Sequence, residues 1–392
     1  MSLLLPSISA WAQTLLQKSD LQYQGAFRLP AGTFGGSSFA YGGSVLAHNP
    51  ANNSLYIVGH DHQQQVAEIS IPTIVNDSTN RGALKTATVL QPFTEATEGK
   101  MGKISPGGTF KVGGLMVDQG KLYESVYAYY DATGSQADSH FVSGTNLSAA
   151  GDVRGPFRVG NAGAGFVSGW MIRIPQAYHA SFGAPAITGN CCLSIITRTS
   201  WGPAAFAFNP ADLGVKNPVP TAPLLYYNSA NPTLGNCNSS GTPFNGSTEI
   251  HGAVFPEGTK TILFIGRHGT GTFCYGEGTG NRNLVGLPTP PGSVYCYDPT
   301  SSGKGVHAYP YAYQAWAYSA YDLLAVKNGR RNPWNVKPYA IWTLDLPFPH
   351  PSGVLGGVAY DPATKRIYVS AWNSDSERPL IHVLGLSGSA PP

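Results

Sequence analysis

Residues 356–374 read GGVAYDPATKRIYVSAWNS. Two glycines open onto a short apolar strand, a polar turn follows (DPATK), and a second apolar strand ends in a Trp-Asn-Ser cluster. Short apolar runs bounded by turn residues indicate strands rather than helices. Three other stretches repeat the pattern: GGSVLAHNPANNSLYIVGHDH at 42–62, GGLMVDQGKLYESVYAYYD at 113–131 and HGAVFPEGTKTILFIGRHG at 251–269. A more irregular copy begins at Gly169 (GWMIRIP) and resumes after an insertion as CCLSIITRTSW, 191–201. Further downstream a third strand runs into a polar turn (VAEISIPTIV, HFVSGTNLSA, FAFNPADLGV, WAYSAYDLLAV). A fourth follows it (TATVLQPF, PFRVG, PLLYYN, PYAIWTLDL). The unit is four strands, repeated.

Four antiparallel strands repeated around an axis make the blades of a β-propeller. The stretch at 356–374 resembles propeller repeats in general, a resemblance that covers most of the chain and implies an architecture but no function. The expected fold is all-β: a single β-propeller of four-stranded antiparallel blades over residues 13–392. The count is five, with loops long enough to hold a sixth or seventh blade. The last unit, 356–385, shows three strands, and LQYQGAFRLP at 21–30 is its expected fourth. This N-terminal strand would close the last blade and remove an open sheet edge. A pair of β-sandwiches ranks lower, because the repeat carries through without a linker-like shift in composition.

Composition agrees. The chain has 48 Gly, 31 Pro and 21 Tyr but only 11% charged residues, which favours short strands and tight turns. A net charge of +3 without a Lys/Arg block argues against a nucleic-acid partner. Residues 1–12 read as a signal-peptide remnant, with Ala10-Trp11-Ala12 as the cleavage pattern. No run approaches the ~18 apolar residues needed to span a bilayer. The expectation is a secreted or periplasmic monomer without a membrane span. The five cysteines fit export. Cys274 and Cys296 flank a Gly-rich excursion and are expected to pair. Cys237 is expected to meet Cys191 or Cys192, since neighbours on a strand point to opposite faces.

Propeller topology also places the chemistry. Turns between strands two and three gather on one face with the links that enter each blade, and loops there converge on the channel mouth. GHDH, 59–62, ends one second strand. The same slots elsewhere supply Tyr129, Arg198, Trp201, Arg267, His268 and Trp372, and the incoming links supply Tyr41, Lys111, Glu249 and His251. The expected catalytic set is His60, His62, His268, Arg267, Tyr129 and His251. The expected substrate-binding set is Tyr41, Arg198, Trp201, Trp372, Glu249 and Tyr275, with Tyr178 and His179 from the insertion PQAYHASFG. Imidazoles two apart on a strand can converge, so His60 and His62 with His251 could hold one divalent metal (Zn, Mn, Cu or Ca).

These residue types suit β-elimination on an acidic extracellular polysaccharide. Arg neutralises a uronate carboxylate, His or Tyr removes the C5 proton, and Tyr or His protonates the leaving oxygen. A propeller that only binds glycans or proteins is the alternative. A His-ligated oxidoreductase, or a glycoside hydrolase using Asp61, Glu249 or Glu277, comes next. No G-x-S-x-G is present, and the Gly-rich run at 266–281 lacks the strand-to-helix context of a phosphate loop.

Overall fold

A computed structural model describes residues 14–104, 108–193, 199–290 and 292–387. The signal-peptide reading of residues 1–12 falls outside them. Five sheets have four antiparallel strands each. Sheet I holds Leu46–Asn49, Ser54–Val58, Val66–Ser70 and Val89–Thr94. Sheet II holds Phe110–Asp118, Lys121–Ala128, Asp138–Gly144 and Arg154–Arg158. Sheet III holds Met171–Arg173, Ala186–Thr188, Ala205–Phe208 and Thr221–Leu225. Sheet IV holds Glu249–Val254, Thr261–Gly269, Tyr311–Ser319 and Ala340–Thr343. Sheet V holds Leu355–Asp361, Arg366–Asp375 and Arg378–Leu386, completed by Leu21–Arg28.

The first strand of each sheet contacts the first strands of its two neighbours, so the five form a closed ring. The chain is a β-propeller. The paired glycines explain how the ring closes. A Cβ on Gly114 would collide with the Gly169 carbonyl, and one on Gly357 with the backbone of Val45 and Leu46. Only glycine lets these inner strands approach so closely.

Large apolar clusters fill the gaps between successive sheets. One packs Trp170, Phe264, Trp316 and Tyr318 between sheets III and IV. Another packs Phe27, Leu55, Ile57 and Tyr368 between sheets V and I. The N-terminal strand closes sheet V as expected, running from Leu21 opposite Leu386 to Arg28 opposite Leu380. Arg28 adds a two-pronged bond to Asp375, at 3.0 and 3.2 Å.

Three local expectations change. The second strand of sheet III is Ala186–Thr188 rather than 191–201, whose described residues form no strand. The turn expected after WAYS is a helix, α1, Ala320–Lys327. Ala, two Leu and a second Ala are good helix formers there, and Leu323 and Val326 bury against the core between sheets III and IV. Third, Cys237 pairs with neither expected partner: Cys191 and Cys192 bond to each other, and Cys237 is free. The reasoning from strand geometry fails because no strand holds that pair. Cys274–Cys296 forms as expected, with Cα atoms 5.6 Å apart. It lies in a second small sheet inserted between the second and third strands of sheet IV, built from Cys274–Thr279, Pro288–Thr289, Ser293–Tyr297 and Lys304–His307. Among the described residues no helix is long and apolar enough to cross a membrane.

Candidate functional site

A cavity of about 470 Å³ opens at one end of the channel, on the face where second strands end. Asp61, Thr109, Lys111, Tyr127, Tyr129, Tyr130, Glu249, His251 and Trp372 line it, with Cys192 and Leu193. It draws on sheets I, II, IV and V and on the loop after the second strand of sheet III.

Both lining carboxylates are held in ion pairs. Lys111 Nζ donates to Asp61 Oδ2 at 2.6 Å and to the Asp61 carbonyl at 2.8 Å. The Arg267 guanidinium donates to Glu249 Oε1 and, at 3.1 Å, to the Ser352 carbonyl. Its other face covers the Tyr311 ring at 4.7 Å. His251 Nε2 sits 3.7 Å from Glu249 Oε2. Burial alone would raise the Glu249 carboxyl, but Arg267 and His251 outweigh it and hold the pKa at about 2. Glu249 is ionised at any physiological pH.

Aromatic rings form the rim. Tyr129 and Tyr130 meet edge to face at 4.7 Å and are 42% and 72% exposed. Burial raises the Tyr129 phenol, with Tyr130, Glu249 and Asp61 adding to the shift. Trp372 tilts against His251 at 5.6 Å.

GHDH divides its side chains. Asp61 turns into the cavity, while His60 and His62 lie on the outer flank. His60 packs edge-on against Tyr41 at 5.7 Å and against His62 at 5.4 Å. The His62 backbone N–H donates to His60 Nδ1 at 3.2 Å, which occupies one imidazole nitrogen. Tyr41 takes a left-handed backbone (φ 53°) and its hydroxyl donates to Glu377 at 2.6 Å. His251 stands against Glu249 and Trp372, away from this flank. Among the described residues no group of three His, Cys, Asp or Glu side chains forms a metal-ligand set.

Several expected residues lie elsewhere. His268 follows Arg267 on an extended strand, so its side chain points the opposite way. It accepts or donates at Thr248 Oγ1 (2.8 Å), packs on Trp316, and burial lowers its pKa to about 4. Tyr178 and His179 sit in the connection between the first and second strands of sheet III, which belongs to the opposite face. Tyr178 donates to the Thr259 carbonyl at 3.1 Å, and His179 Nε2 bonds the Ile174 carbonyl at 2.7 Å. The insertion does join the first and second strands, as expected, but that connection lies on the face away from the mouth, so the expected placement of Tyr178 and His179 at the mouth does not hold. Tyr275 and Glu277 stand on the inserted sheet, outside the cavity. Trp201 packs against the core between sheets III and IV. Arg198 lies outside the described residues. Sequence reasoning missed Thr109, Tyr127, Cys192 and Leu193. For Tyr127 a signal existed, since it lies two residues before Tyr129 and shares its side of the strand.

No protein-family model and no curated protein matches the chain. Solved structures are similar in fold only. An arabinanase of Bacillus subtilis is 10% identical over 92% of this chain and 96% of its own, with a TM-score of 0.43. A glycosyl hydrolase from Bacteroides ovatus is 10% identical over 99% and 97%, with a TM-score of 0.42. A luciferin-regenerating enzyme is 9% identical over 90% and 93%, with a TM-score of 0.36. Likeness this remote, to proteins so differently named, carries no functional argument.

Proposed function

We propose that the chain acts on an extracellular polysaccharide, held as an uncharged segment across the channel mouth and hydrolysed with Asp61 and Glu249. The observation that carries this reading is charge pairing beneath aromatic rings. Lys111 and Arg267 are each matched by a carboxylate, so the charges of these four groups cancel. A sugar ring suits such a pocket. Its C–H face stacks on Tyr129, Tyr130 or Trp372, and its hydroxyls donate to the carboxylates. A uronate would have to pull Lys111 or Arg267 from its partner and leave a half-buried carboxylate uncompensated. For that reason elimination on an acidic polymer ranks below hydrolysis, which needs two carboxyl groups about the scissile bond.

In this reading Glu249, held ionised, serves as base or nucleophile. Asp61, once substrate displaces Lys111, takes up a proton from water and passes it to the leaving oxygen. Arg267 positions Glu249, and His251 fixes its second oxygen. Elimination stays the second reading because His251 and Tyr129, a base and an acid of the right types, share the cavity. His60, His62 and Tyr41 flank it as secondary contacts. The experiment is incubation of the purified protein with neutral and uronic-acid polysaccharides. New reducing ends without unsaturated absorbance support hydrolysis, and Asp61→Asn or Glu249→Gln should abolish them. Unsaturated product would replace hydrolysis with elimination. Binding without turnover would make the protein a lectin-type propeller, and neither binding nor turnover would overturn the carbohydrate reading.

A further inference from the structure

The Cys191–Cys192 disulfide has no part in the proposed reaction, yet it sits where the reaction would occur. Cys191 is fully buried in the aromatic core with Trp170, Phe244 and Trp316. Cys192 and Leu193 reach the cavity and face it with Tyr129, Glu249, His251 and Trp372. The approach to the pair is rigid. Gly189 accepts from Gly169 N–H at 2.8 Å and donates to the Trp170 carbonyl at 3.0 Å. The Asn190 carbonyl accepts from Ala204 N–H at 2.9 Å, and its side-chain amide donates to the Gly165 carbonyl at 3.0 Å. Cys192 then adopts a left-handed backbone, φ 64°.

A bridge between sequence neighbours closes almost no loop, so it barely restricts the unfolded chain. Cys274–Cys296, with a sequence separation of 22, restricts it far more. The effect of the Cys191–Cys192 bond is therefore local. It locks the turn that carries Cys192 and Leu193, and that turn is a wall of the cavity. A disulfide is also apolar and polarisable, a surface a sugar face can pack against.

We propose that the Cys191–Cys192 disulfide is a specificity-determining wall of the mouth, and that its reduction loosens the cavity and weakens glycan binding. This rests on the carbohydrate reading for the ligand but not for the wall. The reductant is a small dithiol. Its thiolate attacks Cys192 Sγ, the sulfur on the cavity side, and Cys191 leaves as a thiolate that takes up a proton. The second dithiol sulfur then attacks the mixed disulfide. One protein disulfide and one dithiol become two cysteine thiols and one cyclic disulfide, a two-electron exchange.

The test compares the wild-type chain, the chain treated with dithiothreitol until mass spectrometry finds 191–192 reduced and 274–296 intact, and the variant Cys191→Ala/Cys192→Ala. Binding of two neutral hexasaccharides, cellohexaose and arabinohexaose, is measured by calorimetry. Hydrogen exchange is followed at 127–131 and 249–251. The expected result is a tenfold or larger rise in Kd on reduction, reversed by reoxidation and matched by the variant, with faster exchange across the mouth. Unchanged affinity in both altered forms would overturn the proposal. Should neither sugar bind any form, the carbohydrate reading falls and exchange alone decides. Faster exchange on reduction then supports the wall, and unchanged exchange removes it.

Discussion

The two ends of the channel are built from the same five inner strands and differ in their treatment of charge. The wide mouth keeps its carboxylate ionised, with Arg267 and His251 holding Glu249 at about 2. At the other end the channel narrows to a cavity of about 80 Å³, lined by residues that include His48, Arg173, Glu257 and Tyr360. There burial wins. It lowers the His48 imidazole despite Asp361 nearby, and it raises the Glu257 carboxyl despite Arg173 and His179. The lengths of the connections account for the difference. At the narrow end most first and second strands join through tight turns, with left-handed residues Asn53, Gln119 and Lys365. Asp361 accepts from Ala363 N–H at 2.9 Å, so its carboxylate serves the turn. At the mouth longer loops leave side chains free to meet across the axis.

Acid should separate the two ends most strongly. His140 and His382 are buried, and burial lowers both from 6.5 to about 3. The unfolded chain binds these protons first, so the stability they contribute is full above pH 6.5 and is lost as pH falls toward 3. The loss is on the order of 1 kcal/mol per pH unit for each histidine. His48 at the narrow end shifts in the same direction. Glu249 works in the same direction through a lower window. Its folded pKa lies below the unfolded 4.5, so its contribution is lost only as pH falls from there toward 2. Chemical denaturation at pH 7, 5.5 and 4.5 should show a steep fall. Hydrogen exchange should rise first around the buried histidines and His48, and last around 249–251. The reverse order would break the contrast.

Next in size is the inserted sheet. Cys274→Ala/Cys296→Ala should cost about 3 kcal/mol in denaturant unfolding. A loss well under 1 kcal/mol would mean that the insertion is held by its packing alone. Within the mouth, Glu249→Gln leaves Arg267 without its charge partner and should lower kcat/KM on the active polysaccharide at least ~100-fold. Trp372→Ala should weaken binding by about 1 kcal/mol, roughly fivefold, with the fold intact. The smallest effect is expected from Glu257→Gln. The narrow end takes no part in the proposed chemistry, so kcat/KM should not change. A loss there comparable to that of Glu249→Gln would erase the functional difference between the ends.

The sequence made the narrow end and the sheets more legible than the mouth. Paired glycines, the turns NPANN, DQG and DPATK, and the alternation of the strands are local signals, and local signals placed the inner strands. Even the return of residues 21–28 to the last sheet could be inferred from a missing fourth strand. The mouth gathered Lys111, Tyr129, Glu249, His251 and Trp372 because topology put their slots on one face. What alternation decides within one residue was less visible: Arg267 turns to Glu249 and His268 to Thr248 and Trp316, and Asp61 lines the cavity while His60 does not. The insertion PQAYHASFG was placed between the first and second strands yet read as reaching the mouth, so Tyr178 and His179 were assigned to the wrong face. The Cys191–Cys192 bond follows from a loop conformation that no pattern of apolar residues encodes.

The pairing of Leu21 with Leu386 has a consequence for biosynthesis. The strand Leu21–Arg28 leaves the ribosome about 350 residues ahead of its partner Arg378–Leu386. At about 5–20 residues per second, the early strand waits on the order of twenty seconds to a minute with its edge unpaired. During that interval the nascent ring stands open, and crowding with a second nascent chain offers the same edge a competing partner.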